Sequence, residues 1–91
     1  FAEGEVDRSP TGSGVSGRAA IHHARGELEL EQAITIGSIL DSRFSVQVQR
    51  ELDYGPHRAI VPRVTGSAHI AAKSEFIIDP NDPLKDGFIF R

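Results

Sequence analysis

Apolar residues recur with two different periods along this chain, and the change from one to the other sets out its organisation. Val15, Ala19, Ala20, Ile21 and Ala24 fall near helical spacing, with Arg25 in the last turn and Gly26 placed as a stop. This predicts a helix of about three turns over residues 15–26. From Glu27 the period becomes two: Leu28, Leu30, Ile34 and Ile36 share one face, while Glu27, Glu29, Glu31 and Thr35 take the other. Phe44, Val46, Val48 and Leu52 repeat the pattern, interrupted by Arg50. Tyr54-Gly55-Pro56-His57 is a turn signal, after which residues 59–64 and 68–78 read as two strands across Thr65-Gly66. Asp79-Pro80-Asn81-Asp82-Pro83 breaks the sheet, and Phe88-Ile89-Phe90 is expected to form a last short strand. No repeat or low-complexity segment interrupts this order. The prediction is an α+β arrangement of mostly antiparallel strands, with a loop over 1–14, a central helix over 15–26 and a strand-rich remainder over 27–91.

Composition narrows the chemistry. The 91 residues hold 10 Lys+Arg against 13 Asp+Glu, a formal charge of −3, and the basic residues are scattered rather than gathered in a stripe. Nothing here builds a field for nucleic acid or an anionic membrane. No cysteine is present, which excludes disulfides, thiolate metal clusters and a thiol nucleophile among these residues. No apolar run reaches 18 residues and no signal-peptide pattern is visible, so a soluble, cytoplasmic protein is expected. The chain has no methionine and starts at Phe1, from which a piece of a longer protein is expected.

The candidate chemistry lies at the start of the predicted helix. Gly12-Ser13-Gly14-Val15-Ser16-Gly17 fits the G-x-G-x-x-G spacing of dinucleotide sites. That fingerprint requires a buried strand before the glycines, whereas Glu5-Val6-Asp7-Arg8-Ser9-Pro10 is polar and proline-broken. A P-loop is excluded because no Gly-Lys-Ser/Thr follows. What remains is the physics those motifs share: small residues leave backbone N–H groups open at a helix start, where the dipole favours an anion. Asp7, four residues before Thr11, adds an acceptor for a cation. Anion donors beside a cation acceptor match an amino-acid zwitterion. The alternative is a capped helix, with Ser13 or Ser16 as N-cap and Asp7 holding the loop.

The string Asp7-Arg8-Ser9-Pro10-Thr11-Gly12-Ser13-Gly14, followed by Ser16-Gly17-Arg18-Ala19 and His23-Ala24-Arg25-Gly26-Glu27-Leu28, resembles the second active-site signature of the proline racemase family. Ser38-Ile39-Leu40, Arg43-Phe44, Val61-Pro62, 64–68, 76–84 and Asp86-Gly87-Phe88 are similar to that family's C-terminal portion. The resemblance covers essentially the whole chain. It implies a diaminopimelate-epimerase-like lobe, strands curled around a central helix, in a two-lobed enzyme whose N-terminal portion supplies the other half of the site. It implies no pyridoxal phosphate, no metal and no other cofactor, a small amino-acid substrate of the hydroxyproline type, and a homodimer. By the same resemblance Asp7 meets the ring nitrogen and Gly12 and Ser13 the carboxylate of the substrate.

Thr11 is the catalytic position in this signature, and it departs from the cysteine of the racemases and epimerases. A thiol with a pKa near about 8.5 can be tuned to exchange protons near neutrality, whereas an aliphatic alcohol is too weak an acid to do so unaided. Two-base racemisation is expected to be lost. A first-lobe cysteine paired with threonine resembles the family members that dehydrate trans-3-hydroxy-L-proline. The alternatives are a proline or 4-hydroxyproline racemase or epimerase, and a non-catalytic amino-acid-binding module.

Other candidates read as structural. Adjacent His22 and His23 diverge by about 100° on a helix and cannot form an i, i+4 ligand pair. His57 and His69 lie apart on a turn and a strand, Glu27, Glu29 and Glu31 form a solvated row, and Tyr54 anchors a turn. Arg8 and Arg18 flank the loop, placed to hold either Asp7 or the substrate carboxylate; the structural role is preferred.

Overall fold

The computed structural model describes residues 2–90. After a 3-10 turn over Ala2–Gly4 come α1 (Gly12–Ala24), β1 (Ala33–Gly37), β2 (Arg43–Tyr54) and β3 (His57–Thr65). The strands form one antiparallel sheet in the order β1-β2-β3, and α1 lies across it against β2 and β3. The expected α+β class is therefore present, as a meander backed by a single helix.

The helix begins at Gly12, three residues before the start read from apolar spacing. Its first bond runs from the Val15 N–H to the Thr11 carbonyl at 3.0 Å. Apolar periodicity reports burial, and Gly12, Ser13 and Gly14 are exposed, so the pattern could not register this turn. Neither Ser13 nor Ser16 is the cap. Thr11 holds that position without a side-chain cap bond, and the Ser16 hydroxyl donates to the Gly12 carbonyl at 2.7 Å.

The C-terminal stop forms as expected. Gly26 adopts φ 74°, a left-handed conformation that glycine reaches without Cβ strain. Its N–H bonds the His23 carbonyl at 3.0 Å and the next N–H, of Glu27, bonds the His22 carbonyl at 2.8 Å, which is the double closure of a Schellman motif.

Val15 and Ala19 of α1, Leu28, Ile36 of β1, and Val46 and Val48 of β2 form the buried core, flanked by half-buried Ile34, Phe44 and Ile60. Ile21, counted on the helix's apolar face, is instead 51% exposed. Small Ala19 lets the helix approach the sheet, and Val15 and Ala19 are the helix residues buried there. The expected continuous strand from Leu28 is also interrupted. Glu31 takes φ 61°, Leu30 makes an isolated parallel bridge to Val48, and β1 starts only at Ala33.

Along β2 the register shifts between Val48 and Arg50, leaving Gln49 as an extra residue. One inserted residue exchanges the two faces of a strand, because side chains alternate with period two. Val46 and Val48 face the helix before the bulge, and Glu51 faces it afterwards, where it reaches His23. The sequence pairing of Leu52 with Val46 and Val48 on one face is thereby corrected. The β2–β3 hairpin closes at Gly55-Pro56, with Gly55 at φ 57° in the first central position, where the mirror-image II′ turn requires it.

The strands expected over 68–78 and 88–90 do not form among the described residues. From Gly66 onward the chain is exposed, with Ile70 at 98% and Phe76 at 90%. Turns around Asp79–Asp82 and Leu84–Gly87 and an edge-to-face contact of Phe88 with Phe90, centroids 5.4 Å apart, supply its local order. The radius of gyration, 19.2 Å, exceeds the roughly 12 Å of a compact domain this long. Alternation alone does not make a strand; it needs a ladder partner, and this segment finds none within the described chain.

Candidate active site

The loop before α1 is tied by short-range polar bonds. The Ser9 N–H donates to Asp7 Oδ1 at 2.9 Å, and the Thr11 N–H donates to Ser9 Oγ at 3.2 Å. These two turns step the chain from Asp7 to the helix start. Pro10 fixes the residue between them and needs no partner for an absent N–H. The Ser9 N–H bond lowers the Asp7 pKa, and the Ser9 and Thr11 hydroxyls act in the same direction, so the carboxylate stays ionised. Among the described residues no ion pair joins the Arg8 or Arg18 guanidinium to Asp7; backbone N–H groups hold it, chiefly that of Ser9.

Thr11 stands at φ 66°, ψ 116°. A β-branched residue there is strained, and such strain persists where the surroundings fix the geometry, often at a functional site. Thr11 and Asp7 line one open cavity of about 290 Å³ together with Glu5, Val6, Ser9 and Pro10; Gly37 at the end of β1 and Ser38 and Ile39 of the β1–β2 connection complete its lining. A second hollow of about 670 Å³ lies between Asp7–Pro10, Asp41–Phe44 and Ser67–His69.

Gly12 and Ser13 occupy the first turn of α1 and are not among the residues lining either cavity. Thr11 offers no side-chain cap to this first turn. A Cβ built on Gly12, Gly14 or Gly17 meets nothing within 4 Å. Each glycine costs a helix about 1 kcal/mol relative to alanine, and packing within the chain gives no reason for three of them. The ionised Asp7 carboxylate lines both cavities, while the Gly12 and Ser13 N–H groups open the helix outside them.

The histidines serve the opposite end of the helix. His22 Nδ1 lies 2.5 Å from Glu27 Oε2 across the helix stop. His23 Nδ1 faces the Leu28 carbonyl at 2.7 Å and its Nε2 faces Glu51 Oε1 at 2.5 Å, while Arg58 donates to both Glu51 and Asp53. The bond to Glu51 and that to Leu28 raise the His23 pKa; the bond to His23 and those of Arg58 lower that of Glu51. Tyr54 is exposed at the hairpin rather than packed, and His69 borders the second hollow. Among the described residues no group of three His, Asp or Glu is arranged to hold a metal.

The sequence reading did not anticipate the β1–β2 connection. Ser38 and Ser42 bond each other through their hydroxyls at 2.7 Å, and Ser42 also donates to the Arg8 carbonyl. The turn-forming run Gly37-Ser38 to Asp41-Ser42 marks a connection, but nothing local shows that it closes against a loop some thirty residues earlier.

A three-stranded antiparallel meander backed by one helix, with a polar loop before that helix, is an α+β lobe. The chain belongs to the proline racemase family, whose model, described as "Proline racemase", matches residues 1–89. It is 50% identical over its full length to a trans-3-hydroxy-L-proline dehydratase of Colwellia psychrerythraea, spanning 26% of that protein. It is 43% identical, again over its full length, to a proline racemase of Clostridioides difficile, spanning 27% of it. A hydroxyproline epimerase of Agrobacterium vitis, solved with bound trans-4-hydroxy-L-proline, superposes over 99% of this chain and 26% of its own, with TM-score 0.76 and 33% identity. The chain thus spans about a quarter of the length of these relatives.

Proposed function

We propose that the chain is part of a cofactor-independent lyase that dehydrates trans-3-hydroxy-L-proline. The observation that carries this reading is Thr11, an alcohol at the family's second catalytic position, lining one cavity with ionised Asp7. The 50% identity to a trans-3-hydroxy-L-proline dehydratase supports it.

The substrate's stereochemistry accounts for the alcohol. In the trans isomer the 3-hydroxyl lies opposite the carboxylate and shares a ring face with the α-hydrogen. One group on that face, a cysteine of the N-terminal portion of the enzyme, removes the α-proton and then protonates the departing hydroxyl as the C3–O bond breaks. Water leaves, and the resulting enamine tautomerises to Δ1-pyrroline-2-carboxylate. The opposite face needs no acid. Thr11 fills it and offers a hydrogen bond, Asp7 binds the ring ammonium, and the Gly12 and Ser13 N–H groups stabilise charge developing on the carboxylate as the proton leaves. A cytoplasmic homodimer is part of the same proposal.

A second reading, a proline or hydroxyproline racemase or epimerase, draws on the 43% identity to a proline racemase. Thr11→Cys in the full-length enzyme separates the two. The dehydratase reading expects water loss from trans-3-hydroxy-L-proline in the parent enzyme, with α-proton exchange and inversion of proline or trans-4-hydroxyproline appearing only in the cysteine variant. Rapid exchange with inversion in the parent, without water loss, refutes it.

A further inference from the structure

The loop from Asp7 to Thr11 is held internally by bonds two residues long, and these fix its shape without fixing its position on the sheet. A hydroxyl relay provides the second constraint. Ser42, just before β2, donates its single hydroxyl hydrogen to the Arg8 carbonyl. Because that hydrogen is committed, the 2.7 Å contact between Ser42 Oγ and Ser38 Oγ must use the Ser38 hydrogen, with Ser42 accepting. Ser38 Oγ in turn accepts from the Leu40 N–H at 3.1 Å, and the Ser38 N–H closes on the Ser42 carbonyl at 2.8 Å. Every hydroxyl hydrogen in the relay has a defined destination.

The relay connects the two walls of the 290 Å³ cavity. Ser38 lines one side beside Ile39; Arg8 sits between Asp7 and Ser9, which line the other. The bond to Arg8 therefore sets how far apart the walls stand, and it acts one residue from Asp7 and three from strained Thr11.

The geometry points to Ser42 as a positioning residue for the reaction, holding Asp7 and Thr11 at working distance from the β1–β2 wall without touching substrate. This rests on the proposed function, in which that cavity receives the amino acid. Threonine keeps the hydroxyl and alanine removes it, so the pair isolates the bond.

In the full-length enzyme, Ser42→Ala is expected to lower kcat/KM for trans-3-hydroxy-L-proline about five-fold or more, the worth of one hydrogen bond amplified by misplacement of the site. Ser42→Thr is expected to stay within about two-fold of the parent. Kinetics are read well below the thermal midpoint of each variant. A lowered midpoint in Ser42→Ala with unchanged kcat/KM assigns the serine to stability alone and overturns the inference, as does a threonine variant no better than alanine. Asp7→Asn is the companion. If it abolishes turnover while Ser42→Ala does nothing, the inference fails and the site stands. If it leaves turnover intact, the site reading fails and takes the inference with it.

Discussion

Replacing Thr11 by glycine and, separately, by alanine tests whether the backbone at this position is strained, with the hydroxyl removed from both variants alike. Thr11 has φ 66°. An L-residue pays roughly 1–2 kcal/mol to enter left-handed space, a cost that alanine keeps and glycine escapes. Against this, glycine loses about 0.5–1 kcal/mol more than alanine through the greater freedom of its unfolded chain. At the middle of both ranges the difference leaves Thr11→Gly more stable than Thr11→Ala by about 0.75 kcal/mol, the reverse of their order at an ordinary φ. A protein of the length of the Colwellia relative has about 350 residues, from 91/0.26. With an unfolding entropy of about 2.1 cal/mol/K per residue, the gap is about 1 °C in thermal midpoint, within reach of scanning calorimetry on both variants in one buffer. Both variants are expected to lose activity to a similar degree. An alanine variant as stable as the glycine variant, or more so, would falsify the claim that Thr11 is held under strain.

Two further outcomes follow from the packing and the ion pairs. A Cβ at Gly66 would stand 2.5 Å from Phe44 Cε1, so Gly66→Ala is expected to cost about 1–3 kcal/mol, and Phe44→Leu in the same chain to recover much of it; thermal midpoints of the two single variants and the double check this. His23 and Glu51 give a defined pH window. Because the His23 pKa is raised above its ordinary 6.5, its contribution is fully present below that value and is lost as pH rises through the folded-state pKa. Because that of Glu51 is lowered from 4.5, its contribution is present above that value and is lost as pH falls through the folded-state pKa. The stability gap between parent and Glu51→Gln should be widest between 4.5 and 6.5, and the His23 ring protons should titrate above 6.5 in the parent and lower in the variant. A gap independent of pH contradicts the charged form of this pair.

Features that depend on local backbone geometry were readable in the chain itself. Gly26 ends the helix because its φ of 74° suits glycine, and Gly55-Pro56 closes a hairpin because a two-residue turn needs that order. The turns from Asp7 to Thr11 and the helix start at Gly12 have the same local origin: short side chains two residues apart bond the backbone, and glycines open a helix start. The residues alone left an anion site and a capped helix both open; in the structure no side chain caps the helix at Thr11, and Asp7 bonds the Ser9 N–H as a loop-holding carboxylate does.

Tertiary structure decided what no local pattern carries. The bulge at Gln49 turned Glu51 toward His23 and Leu52 away, because a strand's faces are fixed by the partner it pairs with. The alternation over 68–78 expressed a capacity for strand formation, but hydrogen bonds to a neighbouring strand determine whether one forms, and the described chain supplies none. The union of Ser42 with Arg8 brings together residues 34 positions apart, and a serine hydroxyl gives no sign in the sequence of which carbonyl it will meet. The chain itself therefore specified the loop before α1 and its turns, while the partners that hold that loop against the sheet emerged only from folding.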